Sequence, residues 1–297
     1  MKIVINLIFV FLMALPSIAM GGEILIVQSL SIPPYNEAVR GFKAVCPART
    51  SSLFSTDLSE TDIAGRVRKE NPDLILAVGM DALEKVRNIG SVPIVYLMVL
   101  NPRPLVSDKN NITGISMYVQ AEKQLAAFRQ VLPNVNRIGI LYDPAKSGAI
   151  VQKAQGVAAA MGLELVTRKV QNSRDAATAL DAMKGKIDAL WLLPDTSVVN
   201  PGTIDLLLLS AIEYRIPVFT FSEKYTEKGA LFSLELDAAE AGRQAGDMAN
   251  RIIDGSDVQR IGKTDARGGT LSINLIVAKK LGISISNNTI RQSRAIR

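Results

Sequence analysis

The sequence predicts an α/β fold of two lobes, each built on a parallel sheet flanked by helices. Three observations predict it. Apolar runs without polar alternation, such as Leu74–Val78, Pro93–Leu100 and Ala189–Leu193, read as strands buried on both faces. They alternate with amphipathic stretches of helical length, the pattern of parallel sheets covered on both sides. That pattern breaks between sheets near Gly114, near Leu236 and across Lys263 to Gly269, which predicts three crossings between the lobes.

The chain in order begins with Ile24–Gln28 as the first strand, Ser29 to Pro34 as its loop, and a helix over Tyr35–Val45. A short strand over Ser51–Ser55 and a helix over Asp62–Lys69 follow, the latter stopped at Asn71-Pro72-Asp73. Leu74–Val78 leads at once into Gly79 and a helix over Asp81–Asn88. In the stretch Pro93 to Gly114 the strand must end near Met98 to Leu100, because Pro102 and Pro104 forbid ladder and helix alike. Asn111-Ile112-Thr113-Gly114 is expected to turn the chain into an amphipathic helix, making this stretch a crossing between lobes.

The second half repeats the plan. Strands are expected over Arg137–Tyr142, Leu163–Val170, Ala189–Leu193, Ile216–Phe221 and Ala230–Leu234, with helices over Gln120–Leu132, Ala149–Met161, Ala176–Met183 and Ile204–Tyr214. A long helix over Ala238–Ile253, a strand over Leu271–Leu275 and a helix over Ile276–Leu281 complete it. The expected division is residues 22–116 plus 237–262 for the first lobe and 117–236 plus 268–285 for the second, with 286–297 as a basic polar tail.

The 297 residues are 48% hydrophobic and 21% charged, as in a folded globular chain. Lys2, an apolar run Ile3–Leu15, Pro16 and the small residues Ser17 to Ala19 form the tripartite pattern of a secretory signal over residues 1–21. The alternative is an uncleaved anchor, since roughly 18 apolar residues can span a bilayer. The net charge of +6 is uneven: from Gln259 to Arg297, eight Lys/Arg against Asp265 give +7. Such a tail reads as a solvated end, and nucleic acid is not expected as a partner of an exported chain. The chain has one cysteine, Cys46, and no histidine. That removes internal disulfides, His-dependent catalytic triads and ordinary zinc sites from the sequence's repertoire. No Walker loop or dinucleotide fingerprint is present, and no cofactor is expected.

In open α/β sheets ligands bind beyond the carboxyl ends of the strands, so the candidates are the residues there. After the first strand these are Ser29, Ser31 and Tyr35; after the third, Met80 and Asp81, where a helix N-terminus offers free N–H groups. In the second half they are Ser147, then Asp195 and Thr196, then Ser222, then Glu235. Each has a structural alternative. Asp81 suits an N-cap, Tyr35 a helix-face core position, and Glu235, like Glu223, a rim or hinge charge. Asp195 either meets a ligand or ties its own loop through the Thr196 and Ser197 N–H groups.

Several stretches, taken in order and spacing, carry a resemblance: Asn101-Pro102 with Leu105-Val106, Asn111–Gly114, Lys123–Leu125, Leu132-Pro133, Arg137–Tyr142, Pro194–Val199, Gly229-Ala230, Gly242–Ala245, Ile273-Asn274, Ala278 and Leu281–Ile283. Together they resemble the substrate-binding proteins of ABC importers, in the group that includes tryptophan- and tyrosine-type binders. The resemblance covers about Ile24 to Ile285. It implies a two-lobe type I periplasmic-binding fold with three hinge crossings and a small-molecule ligand trapped by hinge closure. It also implies an ABC permease in the inner membrane as the partner that receives the ligand, while the signal pattern and the lack of an anchoring cysteine predict an exported, periplasmic monomer. By position, Gly79-Met80 matches a family loop in which a small hydroxyl residue often follows the glycine. Asp195 matches an acidic residue that faces the ammonium group in amino-acid binders. Met80 stands in place of the hydroxyl, and Asn101 in place of the usual aspartate before proline. A ligand sensor presenting its cargo to a membrane receptor is the alternative on the same fold; an exported enzyme is a third, disfavoured by the missing histidine and second cysteine.

Overall fold

The computed structural model describes residues 22–172 and 174–297. The expected export signal over residues 1–21 lies outside the described residues.

The first lobe opens with β1 (Glu23–Gln28), α1 (Pro33–Val45), β2 (Arg49–Phe54), α2 (Glu60–Glu70), β3 (Leu74–Val78), α3 (Met80–Val86), β4 (Ile94–Val99), α4 (Arg103–Val106) and β5 (Ile112–Val119). The second lobe follows: α5 (Ala121–Val131), β6 (Arg137–Tyr142), α6 (Pro144–Ala160), β7 (Glu164–Lys169), α7 (Asp175–Asp181), β8 (Ala189–Trp191), α8 (Ile204–Glu213), β9 (Val218–Thr220), α9 (Glu223–Glu227) and β10 (Phe232–Leu236). The chain returns to the first lobe with α10 (Ala238–Ile253), α11 (Val258–Ile261) and β11 (Lys263–Ala266). It ends in the second with β12 (Gly269–Asn274), α12 (Leu275–Leu281), α13 (Asn287–Arg291) and β13 (Arg294–Ile296).

The first sheet runs β11-β5-β4-β3-β1-β2 and is parallel throughout; the second runs β13-β12-β10-β9-β8-β6-β7, with β12 antiparallel to β10. β3 and β4 are buried at every position, which is why they are uninterrupted apolar runs. Edge strands β2 and β7 keep mixed, partly exposed positions instead. Each sheet carries a hydrophobic cluster on both faces. In the second lobe Phe128 of α5 stands edge-on to Trp191, Phe219 and Phe232, at 4.8–5.9 Å between ring centres, a geometry that suits the ring quadrupoles.

Local chemistry sets the helix starts. Ser59 and Asp62 form a reciprocal capping box on α2. Asp143, Asp237 and Asn274 cap α6, α10 and α12 through side-chain oxygens. Pro33 and Pro34, expected in a loop, are the first two residues of α1, where a fixed φ and a missing N–H cost nothing.

α10 belongs to the first lobe because it packs against α1 at backbone contact. A Cβ on Gly41 would lie 2.0 Å from the Ala239 carbonyl oxygen, and one on Gly242 would lie 1.9 Å from that of Ala38. The two glycines let the helices approach reciprocally, and Asn250 fixes the far end by donating to the Val45 carbonyl at 2.9 Å.

Three sequence expectations need correction. Asn111–Gly114 does not start a helix: it opens β5, which continues to Val119 and pairs with β4 and β11. The residues Pro93 to Gly114 therefore stay within the first lobe, and the chain crosses at Val119–Ala121. Residues 263–266 are not a linker but an edge strand of the first sheet. Residues 286–297 are not a free solvated tail. They fold as α13 and β13, and β13 pairs in parallel with β12. Backbone hydrogen bonds made this possible regardless of the side chains, which is why the composition concealed it. Helices α4, α9 and α11 leave no mark in the sequence pattern, because at four or five residues they are too short to show a 3.6-residue period.

Candidate functional site

The strands β1, β3, β4, β6, β8 and β9 all point their carboxyl ends at the gap between the lobes, and the three crossings bridge it side by side. The Gln120 N–H donates to the Ala266 carbonyl at 3.0 Å, tying the first crossing to the third. From α10, the buried Gln244 side chain donates to the Asp265 carbonyl at 3.1 Å and accepts from the Arg267 N–H at 2.9 Å. The hinge is thus anchored on the first lobe.

Between the lobes lies a cavity of about 620 Å³. Its apolar wall comes from Met98 and Leu100 at the end of β4, Met117 of β5, and Leu193 and Phe221 of the second lobe. Its charged groups are Glu37 from α1, Glu235 and Asp237 from the second crossing, and Arg294 from β13. This mixture of apolar surface and a few convergent charges is the usual make-up of a small-molecule site.

Met98 reaches the cavity through a backbone irregularity. It holds φ at 58°, in the left-handed region that a long side chain rarely adopts. The β4–β5 register shifts there, from Tyr96 opposite Gly114 to Val99 opposite Ser116. A bulge of this kind re-aims side chains at functional edges.

Of the residues expected from sequence, Ser222 and Glu235 line the cavity. Glu235 accepts from the Ser222 hydroxyl at 3.1 Å and the Glu223 N–H at 3.3 Å. It is partly exposed and retains accepting capacity toward the cavity. Glu223 in turn accepts from Ser272 at 2.6 Å and lies 3.6 Å from the Arg294 guanidinium. Arg294 thus stands beside a carboxylate cluster with much of its side chain open.

The other expected residues have internal employment. The Ser29 hydroxyl accepts from the Ala82 N–H at 2.9 Å and caps the start of α3. Ser31 accepts from Asn36 at 3.3 Å on the exposed rim. Tyr35 packs against the first-lobe core beside Gly79, and burial pushes its phenol pKa up. Gly79 has φ of 91°, and a Cβ there would meet Ser29 Oγ at 2.6 Å and the Tyr35 ring at 2.7 Å. Met80 packs on the cluster beneath α3. Asp81 accepts from the Ser55 hydroxyl and pairs with Lys85 at 3.3 Å. Thr196 is exposed and accepts from Lys146 at 2.7 Å.

Asp195 and Ser147 form one buried unit. Asp195 is only 1% exposed. Its carboxylate accepts from the Asp143 N–H at 2.8 Å, the Ser147 hydroxyl at 2.8 Å and the Ser197 N–H at 2.9 Å. The backbone after β6 is thereby stitched to the backbone after β8. This is the loop-tying arrangement, extended to a second loop, and the carboxylate is enclosed by it.

Tyr118, which the sequence reading did not single out, occupies the hinge wall of the cavity. Burial, followed by the charges of Asp195 and Asp265, pushes its phenol pKa up to about 12. The hydroxyl is therefore a neutral group across the working pH range, able to donate into the cleft. Glu37, Met98 and Arg294 were also missed. No local motif marks them; only the meeting of β4, α1 and β13 at one gap does.

A model of the ABC transporter substrate-binding protein family matches residues 54–296. The chain belongs to that family. A tyrosine-binding protein of Clostridioides difficile is 25% identical to this substrate-binding protein over 228 residues, 74% of this chain and 66% of the relative. The aligned part thus falls just short of two thirds of that relative's length. Among solved structures, the ligand-free, open form of a Clostridium difficile substrate-binding protein with adhesive properties superposes with a TM-score of 0.72 at 21% identity. That match covers 93% of this chain and 99% of the other. A Streptococcus pneumoniae ABC domain in complex with L-Trp gives 0.59 at 20% identity over 93% of this chain and 100% of the other. The fold is the two-lobe periplasmic-binding architecture.

Proposed function

We propose that this substrate-binding protein captures an amino-acid-like small molecule in the inter-lobe cavity and delivers it to an ABC permease. The observation that carries the reading is the cavity itself. It takes walls from both lobes and the crossings, so closure about the hinge would enclose a ligand held by each side. Glu235, with Ser222 beside it, suits an ammonium group, and the open guanidinium of Arg294 suits a carboxylate. Met98, Leu100, Leu193 and Phe221 suit an apolar side chain. The tyrosine-binding relative and the L-Trp complex support this ligand class. The protein acts outside the cytoplasm, as a monomeric binder rather than an enzyme, and the N-terminal signal pattern supports that placement.

The test is a thermal-shift and calorimetric screen of the mature chain against amino acids, nucleosides, short peptides and organic acids. A ligand present at a hundredfold excess over its Kd stabilises by about 2.7 kcal/mol, several degrees for a chain of this size. Saturable stabilisation by an aromatic or other apolar amino acid is expected. Stabilisation by nucleosides or organic acids, with none by amino acids, would overturn the assignment.

A further inference from the structure

A second cavity, of about 490 Å³, shares Tyr118, Val119 and Gln124 with the first but has the opposite charge. Four cations surround it: Arg103 of α4 and Lys263 of β11 from the first lobe, Lys146 and Lys153 of α6 from the second. Asp265 is the one carboxylate in its wall, and Lys153 already neutralises it at 2.7 Å. Lys146 and Lys263 donate only to uncharged oxygens, the Thr196 hydroxyl at 2.7 Å and the Lys109 carbonyl at 3.2 Å. Among the described residues the Arg103 guanidinium has no hydrogen-bond or ion-pair partner. Arg103, Lys146 and Lys263 therefore face one small space without an ion-pair partner among the described residues, and of the three Lys146 feels the charge of Asp143.

A second, independent feature points the same way. Tyr96 is 1% exposed and forms part of the wall, yet its hydroxyl has no hydrogen-bond partner among the described residues. Burial, and then the Asp265 charge, holds its phenol well above the usual range, so the hydroxyl keeps its proton and can donate. The ring is buried while the hydroxyl opens on the cavity, where an oxygen of a bound anion can accept from it.

We propose that this cavity is an oxyanion site, in which a carboxylate or phosphate is held by the Arg103 guanidinium and the Tyr96 hydroxyl, with Lys146 and Lys263 supplying charge. Arg103 offers the planar fork that matches either anion. Because Arg103 and Lys263 belong to one lobe and Lys146 to the other, the anion bridges the hinge. The site does not depend on what the first cavity binds.

The experiment titrates inorganic phosphate and, separately, succinate into the full mature chain at constant ionic strength, with sodium chloride as the matched control. Heat and melting temperature are both recorded. Saturable binding of at least one oxyanion is expected, weakened about 10-fold or more by Arg103→Ala. Tyr96→Phe should weaken it several-fold while keeping the ring and the unliganded melting temperature. Saturation by phosphate identifies a free oxyanion as a ligand. Saturation by succinate alone identifies a carboxylate site. Absence of saturation by both overturns the proposal. So does binding that is undiminished in both variants, which would reduce the effect to diffuse attraction by surface lysines.

Discussion

The Ser147 hydroxyl donates to Asp195 Oδ2 at 2.8 Å with both residues essentially excluded from solvent. The pair joins the loop after β6 to the loop after β8, and it converts a residue that looks like a ligand contact into part of the frame around the cleft. Asp195→Ala would leave the Asp143 N–H, the Ser147 hydroxyl and the Ser197 N–H without an acceptor. Each buried orphan costs about 1–3 kcal/mol, so the melting temperature should fall by about 5 °C or more. Ser147→Ala should cost about 1 kcal/mol. Thermal melts of both variants check this; an unchanged melt for Asp195→Ala would sink it.

The charges that face the cleft should behave oppositely. Glu235→Gln and Arg294→Ala remove partly exposed groups with little packing, so the unliganded melt should move by less than about 2 °C. Affinity for the ligand found by screening should drop about 10- to 150-fold for each, the value of a charge-assisted hydrogen bond. Calorimetric titration of the two variants decides the point. Full affinity in both would place the ligand elsewhere.

Truncation after Ser286 tests the C-terminal segment. It removes β13 with its pairing to β12 and takes Arg294 from the cavity. Loss of affinity is expected, together with a lower melting temperature, because β12 becomes an open edge. Affinity and stability equal to the full chain would return these residues to the role of a solvated tail.

Gly242→Ala should destabilise by about 3 kcal/mol, the upper end for overpacking. The new methyl would meet the Ala38 backbone, and no side chain can rotate away to make room. Urea unfolding of this variant beside Gly255→Ala, which lies in open space but at φ of 90°, separates helix-to-helix contact from simple backbone strain. Equal losses in the two would argue against close packing as the cause.

Acid should loosen the third crossing. The Arg267 guanidinium, and after it that of Arg243, holds the Glu240 carboxyl below its ordinary value of 4.5 despite partial burial. A carboxyl with a depressed folded pKa contributes stability that is fully present above its unfolded value and disappears as pH falls through the folded one. Stability should therefore decline below about pH 4.5, and Arg267→Ala should make that decline shallower. Melts between pH 3 and pH 6 test it; parallel curves for the two proteins would contradict it.

The central strands of both sheets were legible in the sequence because a parallel strand covered on both faces has few polar positions to hide among. Leu74–Val78 and Arg137–Tyr142 show this directly. β5 was misread because Asn111 and Gly114 look like turn residues, whereas Gly114 serves to let the Tyr96 backbone approach. Of the cleft, Ser222 and Glu235 could be named from sequence, because the rule that ligands gather at strand ends needs only the strand positions. Asp195 could not be resolved that way. Two of its three donors, the Asp143 N–H and the Ser147 hydroxyl, come from 52 and 48 residues away.

By itself, then, the sequence determined the alternation of strand and helix, the two lobes and the family. These depend on local hydrophobic period and on motif order, both of which are written along the chain. Tertiary structure alone decided which carboxylates face the cleft and which are consumed by the frame. It also decided that Arg294, thirteenth strand and last of the basic residues but one, closes on the same space as Met98 and Glu37. A hydrogen bond or a cavity wall depends on distances between segments far apart in sequence, and those distances exist only once the sheets have packed.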